Sequence, residues 1–339
     1  MNIESLQNST SKIIVNPMII NIVINQYTNH QIMKRSLYLF VVIIILNPLS
    51  AQDFTKVDAH AMRIKAGGNL TETVNELTIP FDSEMEQVRS IFTWIATNVS
   101  YDCKEFHRKF EDRKAKTRPE LRERSYSKQT AICAGYAILF DEMCEIAGIN
   151  AEYISGYARI SPRPPSPDRL NSNHAWNAVE IDGKWYLLDA TWAAGYTDGE
   201  LKKFTFHFDD RYFMTDPEQF FQRHWPEDTK WQLMDETKTE EDFSDLPHFH
   251  KLFPDMHLHS YFPASGILDE DAKSYHFRIQ LEGADQVYLR MGTRMLDMEK
   301  KEDNFYEYTM TKEKFRGRKI MVAARKGDWI RGVVEYRLR

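Results

Sequence analysis

Asp182-Gly183 stands between two runs, HAWNAVEI (174–181) and KWYLLDATW (184–192), both rich in β-branched, aromatic and apolar residues. Asp-Gly in that place favours positive φ at both central residues of a two-residue hairpin, whose twist then matches the flanking strands. The loop pairs Ile181 with Lys184, and every other pairing follows. His174 falls opposite Thr191, and Trp176 opposite Asp189. Opposite residues share a face, and so do residues two apart. His174 and Asp189 are therefore diagonal neighbours, roughly 7–8 Å apart at the backbone, within reach of an imidazole–carboxylate hydrogen bond. A register slip of one residue would separate them. Trp176 shares their face and is a candidate to line any site they form, although core packing is the commoner role of such a ring.

An Asp that accepts from one imidazole nitrogen fixes the tautomer and leaves the other nitrogen free to act on a thiol. AICAGYAILFDEMCEIAGI (131–149) offers one. Cys133, Tyr136, Ala137, Phe140, Met143, Cys144 and Ala147 recur at helical spacing, and Gly148 stands where a helix ends. Cys133 lies at the helix start, where the partial positive charge of the dipole favours thiolate. A neighbouring imidazole would lower its pKa further. A cysteine on an apolar helix is commonly a core residue, and an Asp ahead of a Trp can simply cap a turn. The hairpin spacing does not itself join Cys133 to His174. Cys144 lies about 16 Å along the same helix, too far to bond to Cys133. It is either a partner for Cys103 or a buried thiol.

The chain has 339 residues with 42% hydrophobic content, enough for one sizeable core and a second, smaller domain. Its net charge of −6 is spread without a long basic run, which argues against nucleic acid as a partner. Residues 33–52, MKRSLYLFVVIIILNPLSAQ, have a basic start, a short apolar run, a Pro and a small-residue cleavage site. That is the layout of a secretory signal peptide, with an apolar run too short to span a bilayer; a signal anchor that stays in the membrane is the alternative. We expect translation to start at Met33 and cleavage after Ala51, with residues 1–51 absent from the mature protein and no stable membrane span. Such a protein is exported, to the periplasm or the exterior, with attachment to the envelope as one option.

Helical spacing in DSEMEQVRSIFTWIATNVSYD (82–102) places a helix behind Asp82-Ser83. AEYISGYARI (151–160) alternates as a strand. An α+β domain is expected over 53–235, an acidic linker over 236–249, and a small β-sandwich over 250–339, where short alternating segments follow one another. His248, His250, His257 and His259 form two His-x-His pairs, but no clear third ligand accompanies them and no metal is expected. No dense acidic loop with cation-site spacing appears, so no calcium and no other cofactor is expected.

CAGYAILFDEMCEIAGINAEYISGYAR, NHAWNAVEIDGKWYLLDATW and YFMTDPEQFFQRHWPEDTKWQLMD, with the preceding FDSEMEQVRSIFTWIATNVSYD, resemble the transglutaminase-like superfamily and, within it, the bacterial relatives of kyphoscoliosis peptidase. The resemblance covers roughly 56–235. It implies a papain-like fold with Cys133 as nucleophile, His174 as general base and Asp189 as orienting carboxylate. Ala131-Ile132 stands where a Gly-Val pair is more usual, a change that leaves these three in place. Gln129 is a candidate oxyanion donor or a plain loop residue. The implied activity is acyl transfer on peptide or carboxamide bonds, with a protein or peptide as substrate. Hydrolysis is favoured over crosslinking to an amine, and a non-catalytic envelope-binding module is the reading from another class.

Overall fold

The computed structural model describes residues 53–339 except 109–116, 161–169, 199, 253–255 and 315–316. The expected signal peptide therefore lies outside the described residues. Among them no helix is long and apolar enough to cross a membrane.

Three helices form one layer of the N-terminal half. In α1 (Leu70–Thr78) the Asn69 and Glu72 side chains cap each other's backbone N–H groups. α2 (Glu84–Asn98) opens behind Ser83, whose hydroxyl accepts from Glu86 N–H. Such a cap contributes about 1 kcal/mol. α3 (Cys133–Ala147) ends at Gly148, which takes the left-handed φ of 76° that glycine adopts without strain. Val88, Ile91, Phe92 and Ile95 of α2 join Tyr136, Leu139, Phe140 and Met143 of α3 in one buried cluster. Each such side chain contributes about 1.5–3 kcal/mol by leaving water.

The second layer is an antiparallel sheet of β1 (Ala151–Ala158), β2 (His174–Ile181), β3 (Lys184–Leu188) and β4 (His224–Pro226), in the order β3–β2–β1–β4. The hairpin forms as expected, with Asp182 at φ 52° and Gly183 at φ 75°. Ile181 pairs with Lys184 and Asn177 with Leu188. One expectation is corrected. The second strand does not run on to Trp192; its ladder stops at Leu188, and Ala190–Ala194 is a helical turn. Asp189 caps that turn, its Oδ1 accepting from Trp192 N–H at 3.0 Å. An Asp ahead of helix-compatible Ala residues favours the cap over the ladder. Thr191 consequently sits in the turn and not opposite His174.

Residues 236–249 are folded. Glu240–Asp245 is a helix capped by Thr239, and its Phe243 is fully buried against Phe221 and Trp225. The guanidinium of Arg159, itself buried, donates to the carbonyls of Phe243, Ser244, Leu246 and Pro247. His248–Phe249 then pairs with Glu335 and Val334. Beyond it two sheets pack face to face as a β-sandwich. One sheet holds His257–Phe262, Ser274–Glu282, Phe305–Thr311 and Glu299–Lys300. The other holds Ile267–Leu268, Trp329–Leu338, Lys319–Lys326, Gln286–Met291 and Arg294–Asp297. Tyr275, Phe277, Ile279 and Leu281 of the first meet Val287, Leu289, Ile320 and Val322 of the second. Their spacing of two residues is the alternation visible in the sequence.

Candidate active site

Cys133 begins α3 directly after a short parallel bridge in which Ser100 pairs with Thr130 and Tyr101 with Ala131. Two features hold this first turn. Gly135 packs so closely on the Arg118–Ser127 helix that a Cβ there would stand 2.5 Å from Ser125 Oγ and 2.8 Å from Ala131 Cβ. Asn177 of β2 donates from Nδ2 to Ala137 O at 3.0 Å, which pins the sheet to the helix. Cys133 is thereby set against the start of β2. The His174 ring and the Ala175 backbone N–H lie beside its sulfur and both favour the thiolate.

His174 is buried, and its Nε2 donates to Asp189 Oδ2 at 2.8 Å. With Nε2 so engaged, the nitrogen left for Cys133 is Nδ1. Burial alone would push the imidazole down. The Asp189 charge and hydrogen bond, with the Cys133 sulfur, overcome it and raise His174 to about 10. Burial likewise pushes the Cys133 thiol up, but His174 and the Ala175 N–H bring it below the ordinary thiol value. Asp189 is wholly buried; burial raises it, yet the two imidazoles facing it hold it well below the usual carboxylate range. The three groups thus favour a thiolate–imidazolium pair backed by a carboxylate.

His224, on β4, was not anticipated. Its Nε2 lies 3.1 Å from the same Asp189 oxygen. It is separated from Asp189 by 35 residues, and a three-residue strand carries too little periodicity to be read from sequence. β1 lies between the two histidine strands, pairing Gly156 with His174 and Ala158 with His224. Trp176 is buried beside them, its ring 6.0 Å from His174 and 5.0 Å from His224. Trp192 stacks on His174 at 5.2 Å. Trp176 belongs to a core cluster with Ile154, Ala178, Leu187 and Phe220, so it backs the histidines and does not stand open to solvent.

Gln129 holds a left-handed φ of 47°, and its carbonyl accepts from Ser100 N–H at 2.8 Å. This places its backbone at the head of the bridge leading to Cys133. A cleft of about 490 Å³ opens beside His174, lined by Tyr101, Trp192, Tyr196, Arg223, His250 and Lys251 among others. All three cysteines are free thiols, with Cys103 and Cys144 buried, so Cys103 and Cys144 are not joined.

Among the described residues, His174, Asp189 and His224 are the group of three whose ligand atoms approach within 4.8 Å of one another. A metal there would need the lone pair of His174 Nε2, where an N–H now donates to Asp189. The His-x-His pairs make other contacts: the His248 and His250 rings meet at 4.7 Å, and exposed His259 meets Glu282.

Comparison with known proteins assigns one segment of the chain. Residues 71–190, which include Cys133, His174 and Asp189, match the model of the transglutaminase-like superfamily. Kyphoscoliosis peptidase of Mus musculus is 35% identical over 188 residues, covering 55% of this chain and 28% of that protein. Hillarin of Drosophila melanogaster is 26% identical over 230 residues, covering 64% of this chain and 27% of its own length. The chain thus spans under a third of the length of these relatives. A solved structure titled "Crystal structure of a TGase" overlaps 58% of this chain and 42% of its own, at 16% identity and a TM-score of 0.29. Residues 71–190 are a transglutaminase-like domain.

Proposed function

We propose that this protein is a cysteine-dependent acyl-transfer enzyme that hydrolyses peptide or carboxamide bonds. Cys133 is the nucleophile, His174 the general acid and base, and Asp189 the orienting carboxylate. The observation that carries this reading is the position of His174, which engages Asp189 at 2.8 Å and Cys133 at once and so lowers the thiol against its burial.

The Cys133 thiolate attacks the carbonyl carbon and forms a tetrahedral adduct. The negative oxygen is met by the Cys133 backbone N–H at the start of α3, where helix N–H groups lack carbonyl partners. Gln129 is the proposed side-chain donor to the same oxygen. The C–N bond then breaks, and His174 gives its proton to the leaving amine. Water attacks the thioester, His174 takes its proton, and the acid and the free thiolate are released. The name of kyphoscoliosis peptidase supports hydrolysis as the outcome.

Incubation with a peptide library, with and without a primary amine, tests this by mass spectrometry. Hydrolysed fragments are expected. Amine adducts in their place would make the protein a crosslinking enzyme, and neither product would leave a binding module. Export is part of the same proposal, supported by the signal pattern of residues 33–51. Amino-terminal sequencing of the mature protein is expected to begin at Gln52; a start at Met1 or Met33 would refute it.

A further inference from the structure

We propose that His224 is a positioning residue of this site, clamping Asp189 so that the carboxylate can hold His174 and acidify Cys133. The proposal rests on the acyl-transfer reading above. Its ground is the sharing of one oxygen: Asp189 Oδ2 faces His174 Nε2 at 2.8 Å and His224 Nε2 at 3.1 Å, while Oδ1 accepts from Trp192 N–H at 3.0 Å. A carboxylate with a single donor can rotate about its Cβ–Cγ bond. With donors on both oxygens, and two on Oδ2, it has one orientation and remains ionised.

The His224 ring is itself immobilised. It stacks on Phe220 at 3.9 Å and 18°, and Trp192 and Trp176 lie at 4.5 and 5.0 Å. Its two nitrogens face Asp189 Oδ2 and, at 3.2 Å, Phe220 O. The ionisable groups around it are Asp189, which caps the turn after β3, His174 on β2, and Arg223 beside it in the chain. Burial, with the charges of His174 and Arg223, lowers it to about 4 against the pull of Asp189. At neutral pH it therefore carries one ring proton. That proton belongs on Nε2, because a hydrogen bond to a carboxylate is roughly twice as strong as one to a carbonyl. His224 thus supplies an N–H without a charge of its own, so it does not compete with the imidazolium of His174.

The test is the pH dependence of Cys133 alkylation by iodoacetamide, which needs no substrate. Wild type is expected to titrate below an ordinary thiol. His224→Phe keeps an aromatic ring on Phe220 but removes the donor, and is expected to raise the apparent pKa of Cys133 by about one unit, a tenfold loss of rate on the acid side. His224→Gln keeps an N–H and is expected to fall between the two. Wild-type titration as an ordinary thiol would overturn the acyl-transfer reading itself. An acidic wild-type thiol with both folded variants titrating alongside it would overturn only the role of His224. Should His224→Phe fail to fold, proton NMR of the wild type decides. Two exchange-protected imidazole Nε2–H resonances, one assigned to His174 and one to His224 and both lost in Asp189→Asn, support the clamp, and an Nε2–H from His174 alone refutes it.

Discussion

Asp189→Asn is the sharpest perturbation of the site, because it removes a charge while keeping the shape. From an ordinary 6.5, His174 is carried to about 10, a preference for imidazolium of roughly 5 kcal/mol. Burial opposes that preference; Asp189 leads the groups that create it and Cys133 follows. If Asp189 supplies half, its loss costs roughly 2–3 kcal/mol, or about a hundredfold in the thiolate–imidazolium population. Asparagine also brings one acceptor oxygen to three donors, the N–H groups of Trp192, His174 and His224. It remains a good N-cap, so the Ala190–Ala194 turn is expected to persist. The assay is alkylation of Cys133 at pH 7, followed by peptide mass mapping, with circular dichroism as the control for folding. A folded Asp189→Asn variant alkylated within threefold of wild type would refute the ion-pair argument.

Further outcomes follow from the same structure. Peptide hydrolysis is expected to fall as pH rises through about 10, where His174 loses the proton it must give to the leaving amine; a rate still climbing beyond that point would contradict its role as acid. His224 and His248 are held neutral, at about 4 and about 3, chiefly by burial. Between those values and 6.5 the unfolded chain binds more protons than the folded one, so stability rises with pH across that window. Thermal melts at several pH values check the sign, and His248→Leu should flatten the slope. Gly156→Ala would place a Cβ 2.3 Å from both Trp176 Cη2 and Trp225 O. It is expected to cost at least about 1–3 kcal/mol in urea denaturation. A thiol count on protein denatured without reductant should find three, since none of the cysteines is paired.

Local chemistry made part of this molecule readable from its sequence. The Asp182-Gly183 turn set a register that the structure keeps through Asn177 and Leu188, and the His174–Asp189 hydrogen bond follows from it. The inward alternation of Tyr275, Phe277, Ile279 and Leu281 showed the sandwich, but not the order of its strands, which depends on pairings distant in the chain. The stop at Leu188 was written in Asp189, a capping residue, but Thr191 and Trp192 have the composition of a strand and masked it. His224 could not be found by these means. Its strand is three residues long, ends in a proline, and reaches the site only by pairing with β1.

The cleft beside His174 has a divided origin. Trp192 and Tyr196 come from the segment that follows β3, and His250 and Lys251 follow the strand that joins the sandwich. The four carbonyls gripped by Arg159 tie that second wall to the first. Part of the wall beside His174 is therefore encoded in a stretch of chain apart from Cys133, His174 and Asp189. A lineage that rewrites 248–251, or the sheet edge beneath it, alters what the cleft accepts without touching Cys133, His174 or Asp189. On the acyl-transfer reading, one chemistry can in this way be diverted to new substrates by drift in a part of the protein that performs none of it.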